Sequence, residues 1–329
     1  MYNKSFIYLL YRGLNKFNVY LPKPVAKLFA AIHTKYISDL EETKWIKLDT
    51  YDGSGQAVHP DVVSTEDFAG YRYWMAVTPY PFGVDYFENP SIFKSLDGVN
   101  WHSEGNKPIA FPTQRKKAHL SDPDLIYEEK GKQLRLFYRE TRFVNETLLN
   151  NIYTTVSTDG LHWTCPVLIL TSDKDECLSP SAVSYGEAVD VFYVSTLNNR
   201  YQLRKKRFLY DSFNVIEDVI CQINNIPSNR LLWHVDIIRL NEKLLGVFVF
   251  ASDQSGNGSK IYFGNSMDCG IMWNIKDEII EQETAVKFQN IYRGCLVPTE
   301  EKSIFNLYYS AQLRDNSWYV FYRPRFTIE

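Results

Sequence analysis

The chain alternates short apolar and aromatic runs with polar turns, and one phrase returns five times. Each copy opens on a five-residue segment: His59-Pro60-Asp61-Val62-Val63, Asp122-Pro123-Asp124-Leu125-Ile126, Ser179-Pro180-Ser181-Ala182-Val183, His234-Val235-Asp236-Ile237-Ile238 and Arg293-Gly294-Cys295-Leu296-Val297. Their first residues lie 63, 57, 55 and 59 positions apart. A strongly apolar strand follows in every copy, over Tyr73–Thr78, Leu134–Glu140, Asp190–Thr196, Leu244–Ala251 and Phe305–Ala311. Runs of this kind bounded by turn residues predict strands, and five copies at one period predict a repeat architecture.

The turns carry their own echo. Ser95-Leu96-Asp97-Gly98-Val99-Asn100-Trp101 matches Ser157-Thr158-Asp159-Gly160-Leu161-His162-Trp163, and Ser266-Met267-Asp268-Cys269-Gly270-Ile271-Met272-Trp273 repeats it with one extra residue. Asp-Gly supplies the positive φ of a tight hairpin, and the tryptophan then opens the next strand. Four-stranded units repeated five times predict an all-β fold, a five-bladed β-propeller over residues 45–329. No sustained helical period competes with it after residue 45.

Residues 1–44 read differently, as a short N-terminal helical arm. Val25, Leu28, Phe29, Ile32 and Tyr36 recur at helical spacing, and Lys4, Arg12, Lys16, Lys23, Lys27 and Lys35 precede the first acid, Asp39. Removing those six charges from the net −3 leaves −9 on the rest of the chain. Arg12 and Lys16 interrupt the apolar run that a secretory signal requires, so the expected location is cytoplasmic. Residues 1–38 would there touch the anionic inner leaflet. The overall charge argues against a nucleic-acid partner. Five cysteines without paired spacing read as reduced thiols.

In a propeller the first strand of each blade lines the central axis, so the aligned segments converge. Their first positions hold His59, Asp122, Ser179, His234 and Arg293, and two residues later stand Asp61, Asp124, Ser181, Asp236 and Cys295. Buried charges must be paired, hydrated or functional, so this polar axis predicts a ligand site. Glu88 and Asn89 at the third strand of blade one, Arg139 and Glu140 at the end of the second strand of blade two, and Glu176 entering blade three join it. Paired carboxylates suit glycosyl transfer, one protonating the leaving oxygen and the other activating water or attacking the sugar. His59 and His234 could hold a metal with Asp61 or Asp236, but no compact ligand motif supports it, and the expectation is no metal and no cofactor.

The run Tyr73-Trp74-Met75-Ala76-Val77-Thr78-Pro79-Tyr80-Pro81 followed by Glu88-Asn89-Pro90-Ser91-Ile92, together with the five-blade repeat, resembles the five-bladed propeller glycosidases of glycoside hydrolase families 43, 32 and relatives. More narrowly it resembles uncharacterised glycosidase-like bacterial and prophage proteins. The resemblance covers roughly residues 45–329. It implies a base or nucleophile opening blade one, a modulating Asp-Pro opening blade two and an acid entering blade three. Asp122-Pro123 matches the second element. His59 stands in the first aspartate's place with Asp61 two residues on, and Glu176 precedes Pro180 by four residues rather than two. The implied catalytic set is therefore Asp61, Asp122 and Glu176. The implied activity is glycoside hydrolase-like action on an oligo- or polysaccharide of the bacterial surface. The alternatives are a transferase or phosphorylase of the same fold, or a non-catalytic glycan-binding propeller.

Overall fold

A computed structural model of the protein describes residues 24, 25, 27, 45–103, 107–112, 118–280 and 288–328. The expected helical arm, with its membrane contact, lies almost wholly outside the described residues. Among the described residues no helix is long and apolar enough to cross a membrane.

The chain forms five antiparallel sheets around an axis. Blade one contains β2 (Ala57–Phe68), β3 (Tyr71–Pro79) and β4 (Ser91–Ser95), and β1 (Trp45–Ile46) belongs elsewhere. Blade two is β5 (Ala118–Glu128), β6 (Gln133–Val144), β7 (Thr147–Ser157) and β8 (Val167–Ser172). Blade three is β9 (Leu178–Ser184), β10 (Ala188–Ser195), β11 (Gln202–Leu209) and β12 (Val215–Ile220). Blade four adds a short parallel edge, β13 (Gln222–Asn224), to β14 (Leu231–Leu240), β15 (Lys243–Ala251), β16 (Lys260–Ser266) and β17 (Met272–Glu278). Blade five is β18 (Phe288–Pro298), β19 (Ile304–Leu313) and β20 (Trp318–Thr327), and β1 supplies its outer strand by pairing Trp45 with Phe321 and Ile46 with Val320. The chain thus closes its own ring, which removes the open interface that a linear repeat would leave exposed.

The apolar core is divided among the five seams between blades. Between blades one and two, Trp74 and Phe68 pack on Leu120, Leu134 and Leu136; between three and four, Phe192 and Leu203 meet Phe248 and Trp273. The Asp-Gly turns belong to these seams. Each aspartate accepts backbone N–H bonds, as Asp97 does from Val99 at 2.9 Å and Asn100 at 2.8 Å. Each glycine faces an aromatic ring or hydroxyl of the preceding blade: a Cβ at Gly160 would lie 2.2 Å from Trp74, at Gly270 2.5 Å from Phe192, and at Gly98 2.6 Å from the Tyr308 hydroxyl. These turns therefore require glycine twice, for their positive φ (+75 to +83°) and for the close approach.

One irregularity recurs in all five inner strands. The register slips between Val58 and Asp61, Ser121 and Asp124, Leu178 and Ser181, Leu232 and His234, and Ile291 and Gly294. These bulges fall at or beside the first aligned position of each blade. In blades one to three the residue there precedes proline and adopts a left-handed backbone, with φ of 55° at His59, 51° at Asp122 and 52° at Ser179. Such conformations are costly for non-glycine residues and persist where the surroundings demand them.

Candidate active site

The bulges split the axial residues into two tiers. The upper tier gathers His59, Asp122 and His234, which are all buried. His59 Nε2 lies 3.2 Å and His234 Nδ1 3.5 Å from Asp122 Oδ1. His59 Nε2, both His234 nitrogens and Asp122 Oδ1 are nevertheless buried with no protein hydrogen bond. On its other side His59 Nδ1 meets Thr78 Oγ1 at 2.9 Å. With Nδ1–H donating to Thr78, Nε2 presents its lone pair to the centre.

The electrostatics favour neutral histidines beside an ionised aspartate. Burial pushes His59 down to about 4 and His234 well below its ordinary value, and the nearby Arg293 and Arg139 guanidinium groups act in the same direction. Burial opposes ionisation of Asp122, but His59, Arg139, His234 and Arg293 outweigh it and hold the carboxyl far below the usual range. Arg139 Nε sits 3.0 Å from Asp122 Oδ2, so this carboxylate keeps one oxygen on arginine and turns the other to the histidines. Two imidazole nitrogens and one carboxylate oxygen, all within 4.8 Å of one another, form a donor set suited to a divalent transition metal. The 3.2 and 3.5 Å separations are those of neighbouring ligands on bonds of about 2.0–2.2 Å.

Glu88 borders this centre between two imidazoles. Its Oε1 lies 4.0 Å from His59 Nδ1 and its Oε2 3.6 Å from His119 Nε2. Burial, then the Asp122 and Asp85 charges, raise its pKa well above the ordinary value. Burial lowers His119 to about 4. Tyr292 forms the opposite wall, its ring centroid 4.4 Å from that of His234 and 5.4 Å from that of His59. The Trp233 indole N–H donates to the Tyr292 hydroxyl at 3.1 Å, and Trp233 stacks on Tyr201 at 6.0 Å.

The lower tier consists of Asp61, Asp124 and Asp236 around Arg293, whose Nη2 lies 3.4 Å from Asp124 and 3.8 Å from Asp236. These residues also staple the blades: Leu125 N–H donates to Asp61, Ala182 N–H to Asp124 at 2.9 Å, and Ile237 N–H to Ser181 at 2.8 Å.

No protein-family model matches the chain. A stretch of 171 residues is 29% identical to a protein of Flavonifractor plautii described as an A type blood N-acetyl-α-D-galactosamine deacetylase. That stretch is 50% of this chain and spans 22% of the relative's length. The crystal structure of an N-acetylgalactosamine deacetylase from F. plautii, in complex with blood group B trisaccharide, superposes with a TM-score of 0.67 at 18% identity, covering 85% of this chain and 93% of that one. An α-L-arabinanase of Cellvibrio cellulosa gives 0.56 at 14% identity, with 82% and 91% covered. A thermostable family-43 glycoside hydrolase gives 0.59 at 12%, with 83% and 95% covered. The fold is the five-bladed propeller that these proteins share.

The sequence-derived candidates separate under this geometry. His59, Asp122 and His234 converge, and Glu88 and Arg139 reach them. Asp61, Asp124, Asp236 and Arg293 form the tier below, and it is Asp122, not Asp61 or Asp236, that stands with the two histidines, in a donor set where the sequence led to an expectation of no metal. Alternation along a regular strand puts positions i and i+2 on one surface, but the bulge sends them to different depths. Ser179 Oγ accepts from Val235 N–H at 3.1 Å and donates to Val235 O at 2.8 Å, a seam contact. Asn89 donates to Tyr51 at 2.8 Å, and Glu140 accepts from Asn151 at 2.9 Å. Glu176 is half-buried beyond Arg139, which donates to its backbone carbonyl at 3.2 Å. His119, Thr78 and Tyr292 were not anticipated. His119 stands three residues before Asp122, and Tyr292 precedes Arg293 as Trp233 precedes His234; that pairing of an aromatic with the axial residue was the available signal.

Proposed function

We propose that this protein is a carbohydrate-directed hydrolase whose upper tier removes an acyl group from an N-acetylated amino sugar with a divalent metal. The observation that carries this reading is the set of buried, hydrogen-bond-free atoms His59 Nε2, His234 Nδ1 and Asp122 Oδ1, spaced as ligands. A glycosidase built on two working carboxylates has no need of that set. The deacetylase relative and structural neighbour support the substrate class.

His59, His234 and Asp122 would hold the ion, which when bound supplies Lewis-acid polarisation of a carbonyl and lowers the pKa of water. Arg139 keeps Asp122 ionised and oriented. Glu88, between His59 and His119, is placed to take a proton from the attacking water and pass it to the departing nitrogen. Water adds to the acyl carbon, the carbon–nitrogen bond breaks, and the products are acetate and a free amino sugar. Tyr292 and Trp233 give the sugar ring an apolar wall beside the histidines.

One observation favours a second reading, glycoside hydrolysis: Glu88 is a buried carboxyl with a raised pKa, as a general acid requires. Asp122, tied to arginine and facing two histidines, would then have to serve as its partner.

The deciding experiment incubates the full chain with Zn2+ or Co2+ and glycosides of N-acetylgalactosamine and N-acetylglucosamine, measuring acetate and reducing sugar in parallel. The expected result is acetate without new reducing ends, abolished by a chelator and reduced at least about 10³-fold by Asp122→Asn. Reducing sugar without acetate, in the presence of chelator, would establish the glycosidase instead.

A further inference from the structure

Blade three brings two side chains to the edge of the upper tier that the chemistry above leaves unused. Glu176 lies in the segment entering β9, and three consecutive residues fasten that segment. Asp175, which is buried, accepts from Ser195 Oγ at 2.7 Å, Thr196 N–H at 2.8 Å and Cys177 N–H at 3.3 Å. Glu176 donates its own N–H to Thr196 Oγ1 at 3.1 Å and offers its carbonyl to Arg139 Nη1 at 3.2 Å. Cys177 holds a left-handed backbone with φ of 50°. A non-glycine residue keeps that conformation only where its surroundings impose it. The Glu176 backbone is therefore firmly placed, yet its half-buried side chain takes no hydrogen bond or ion pair among the described residues.

Tyr201 stands near it, at the end of the β10–β11 connection. Burial, and then the Glu176 charge, raise the Tyr201 hydroxyl above its ordinary pKa. The Tyr201 ring stacks on Trp233 with an interplanar angle of 27°. Trp233 is fixed in turn, because it donates to the Tyr292 hydroxyl and a Cβ at Gly256 would lie 2.8 Å from its indole. Tyr201 is only half-buried, so part of its ring remains open to solvent. Both residues stand one contact away from the donor set. Arg139 joins Glu176 to Asp122, and Trp233, 6.0 Å from the His234 ring, joins Tyr201 to His234.

We infer that Glu176 and Tyr201 form a subsite for the sugar joined to the acylated one, so that the substrate is an oligosaccharide rather than a free amino sugar. The inference rests on the reading of the upper tier as the reacting centre. An open aromatic ring beside a carboxylate with free acceptors complements a pyranose, which offers an apolar C–H face and hydroxyl donors. With the acyl group at the histidines, the neighbouring ring would lie over Tyr201 and donate hydroxyl hydrogens to the Glu176 carboxylate. Glu176 then determines specificity, in place of the proton-donor role that the family resemblance implied. The proton carrier is Glu88, on blade one.

The test compares methyl glycosides of N-acetylgalactosamine and N-acetylglucosamine with disaccharides in which galactose or a second N-acetylhexosamine is joined to each. Binding to the full chain is measured by calorimetry with a chelator present, where metal-dependent turnover does not interfere. At least one disaccharide should bind about tenfold more tightly than its methyl glycoside. Glu176→Gln and Tyr201→Ala should each remove most of that difference. With Zn2+ restored, Glu176→Gln should raise KM for acetate release from that disaccharide about tenfold and change kcat less than about threefold. A fall in kcat of about 10²-fold or more at unchanged KM would make Glu176 the proton donor and overturn the subsite. It is overturned equally if no disaccharide binds the wild type more tightly than its methyl glycoside, even where acetate is released. Disaccharide binding that depends on both residues, without any acetate release, retains the subsite and sinks the deacetylase reading alone.

Discussion

At Glu88 the geometry and the charge distribution ask for a proton carrier. The carboxyl sits within 4.0 Å of one imidazole and 3.6 Å of another, in surroundings that disfavour its ionised form. Glu88→Gln preserves shape and removes the titrating proton. We expect kcat to fall about 10²–10⁴-fold with binding of Co2+ at the histidine centre unchanged in its visible spectrum. A loss of cobalt binding would instead make Glu88 a ligand. Trp233 acts at one remove, since its indole N–H holds the Tyr292 hydroxyl. Trp233→Phe keeps an aromatic ring but frees that hydroxyl, and should lower kcat/KM about tenfold, or about 1.4 kcal/mol. A change in thermal stability with unaltered kinetics would show that the tryptophan only packs.

Strands and turns were the legible part of this chain. Apolar-aromatic runs and the Asp-Gly-Trp echo are local, so the five second strands are found within a few residues of the positions read from sequence: Leu134–Glu140 lies inside Gln133–Val144, and Phe305–Ala311 inside Ile304–Leu313. The site was legible by composition and illegible by depth. Aligning the five segments brings His59, Asp122 and His234 to one list, but nothing local announces the bulge that lifts them away from Asp61, Asp124 and Asp236. The fifth blade's outer strand was hidden for the opposite reason, because its two residues, Trp45 and Ile46, are too few to carry a period.

The glycine in each Asp-Gly turn yields a test with an internal control. At Gly160 an added methyl meets the rigid Trp74 ring at 2.2 Å, whereas Gly186, with nearly the same φ, has nothing within 4 Å. Gly160→Ala should cost about 2–4 kcal/mol, and Gly186→Ala no more than about 1 kcal/mol. Equal losses in denaturant unfolding would assign the whole effect to backbone conformation. The turn aspartates make a pH prediction. Burial opposes ionisation of Asp97, but hydrogen bonds from Asn100, Val99 and Ser95 together outweigh it and bring its pKa down to about 2, and Asp159 and Asp268 are lowered as well. A folded pKa below the unfolded one contributes stability that is full above about pH 4 and lost as pH falls toward 2. The thermal midpoints of wild type and of a variant with all three changed to asparagine should therefore differ at pH 6 and converge toward pH 2. A gap independent of pH would exclude the charge as its source.

At the scale of the whole molecule, ring closure decides how the repeats fail. In an open solenoid each unit contacts only its neighbours and the ends can fray separately. Here β18 lies against β2, and β1 completes the last sheet, so every blade has two partners and no blade is terminal. The core is likewise distributed over five seams, none of which belongs to one blade. Removing the Phe192 ring opens a cavity in the seam between blades three and four, where it packs against Trp273 at a centroid distance of 6.1 Å. Phe192→Ala should cost about 3–5 kcal/mol. Because closure couples that seam to the other four, the loss should lower one cooperative transition rather than detach one blade. Tryptophan fluorescence and far-ultraviolet circular dichroism should then give coincident curves for the variant, with amide exchange accelerated around the whole ring, in blade one as well as in blades three and four. Two separated transitions, with exchange in blade one unchanged, would mean that the seams melt independently and that ring closure contributes no cooperativity.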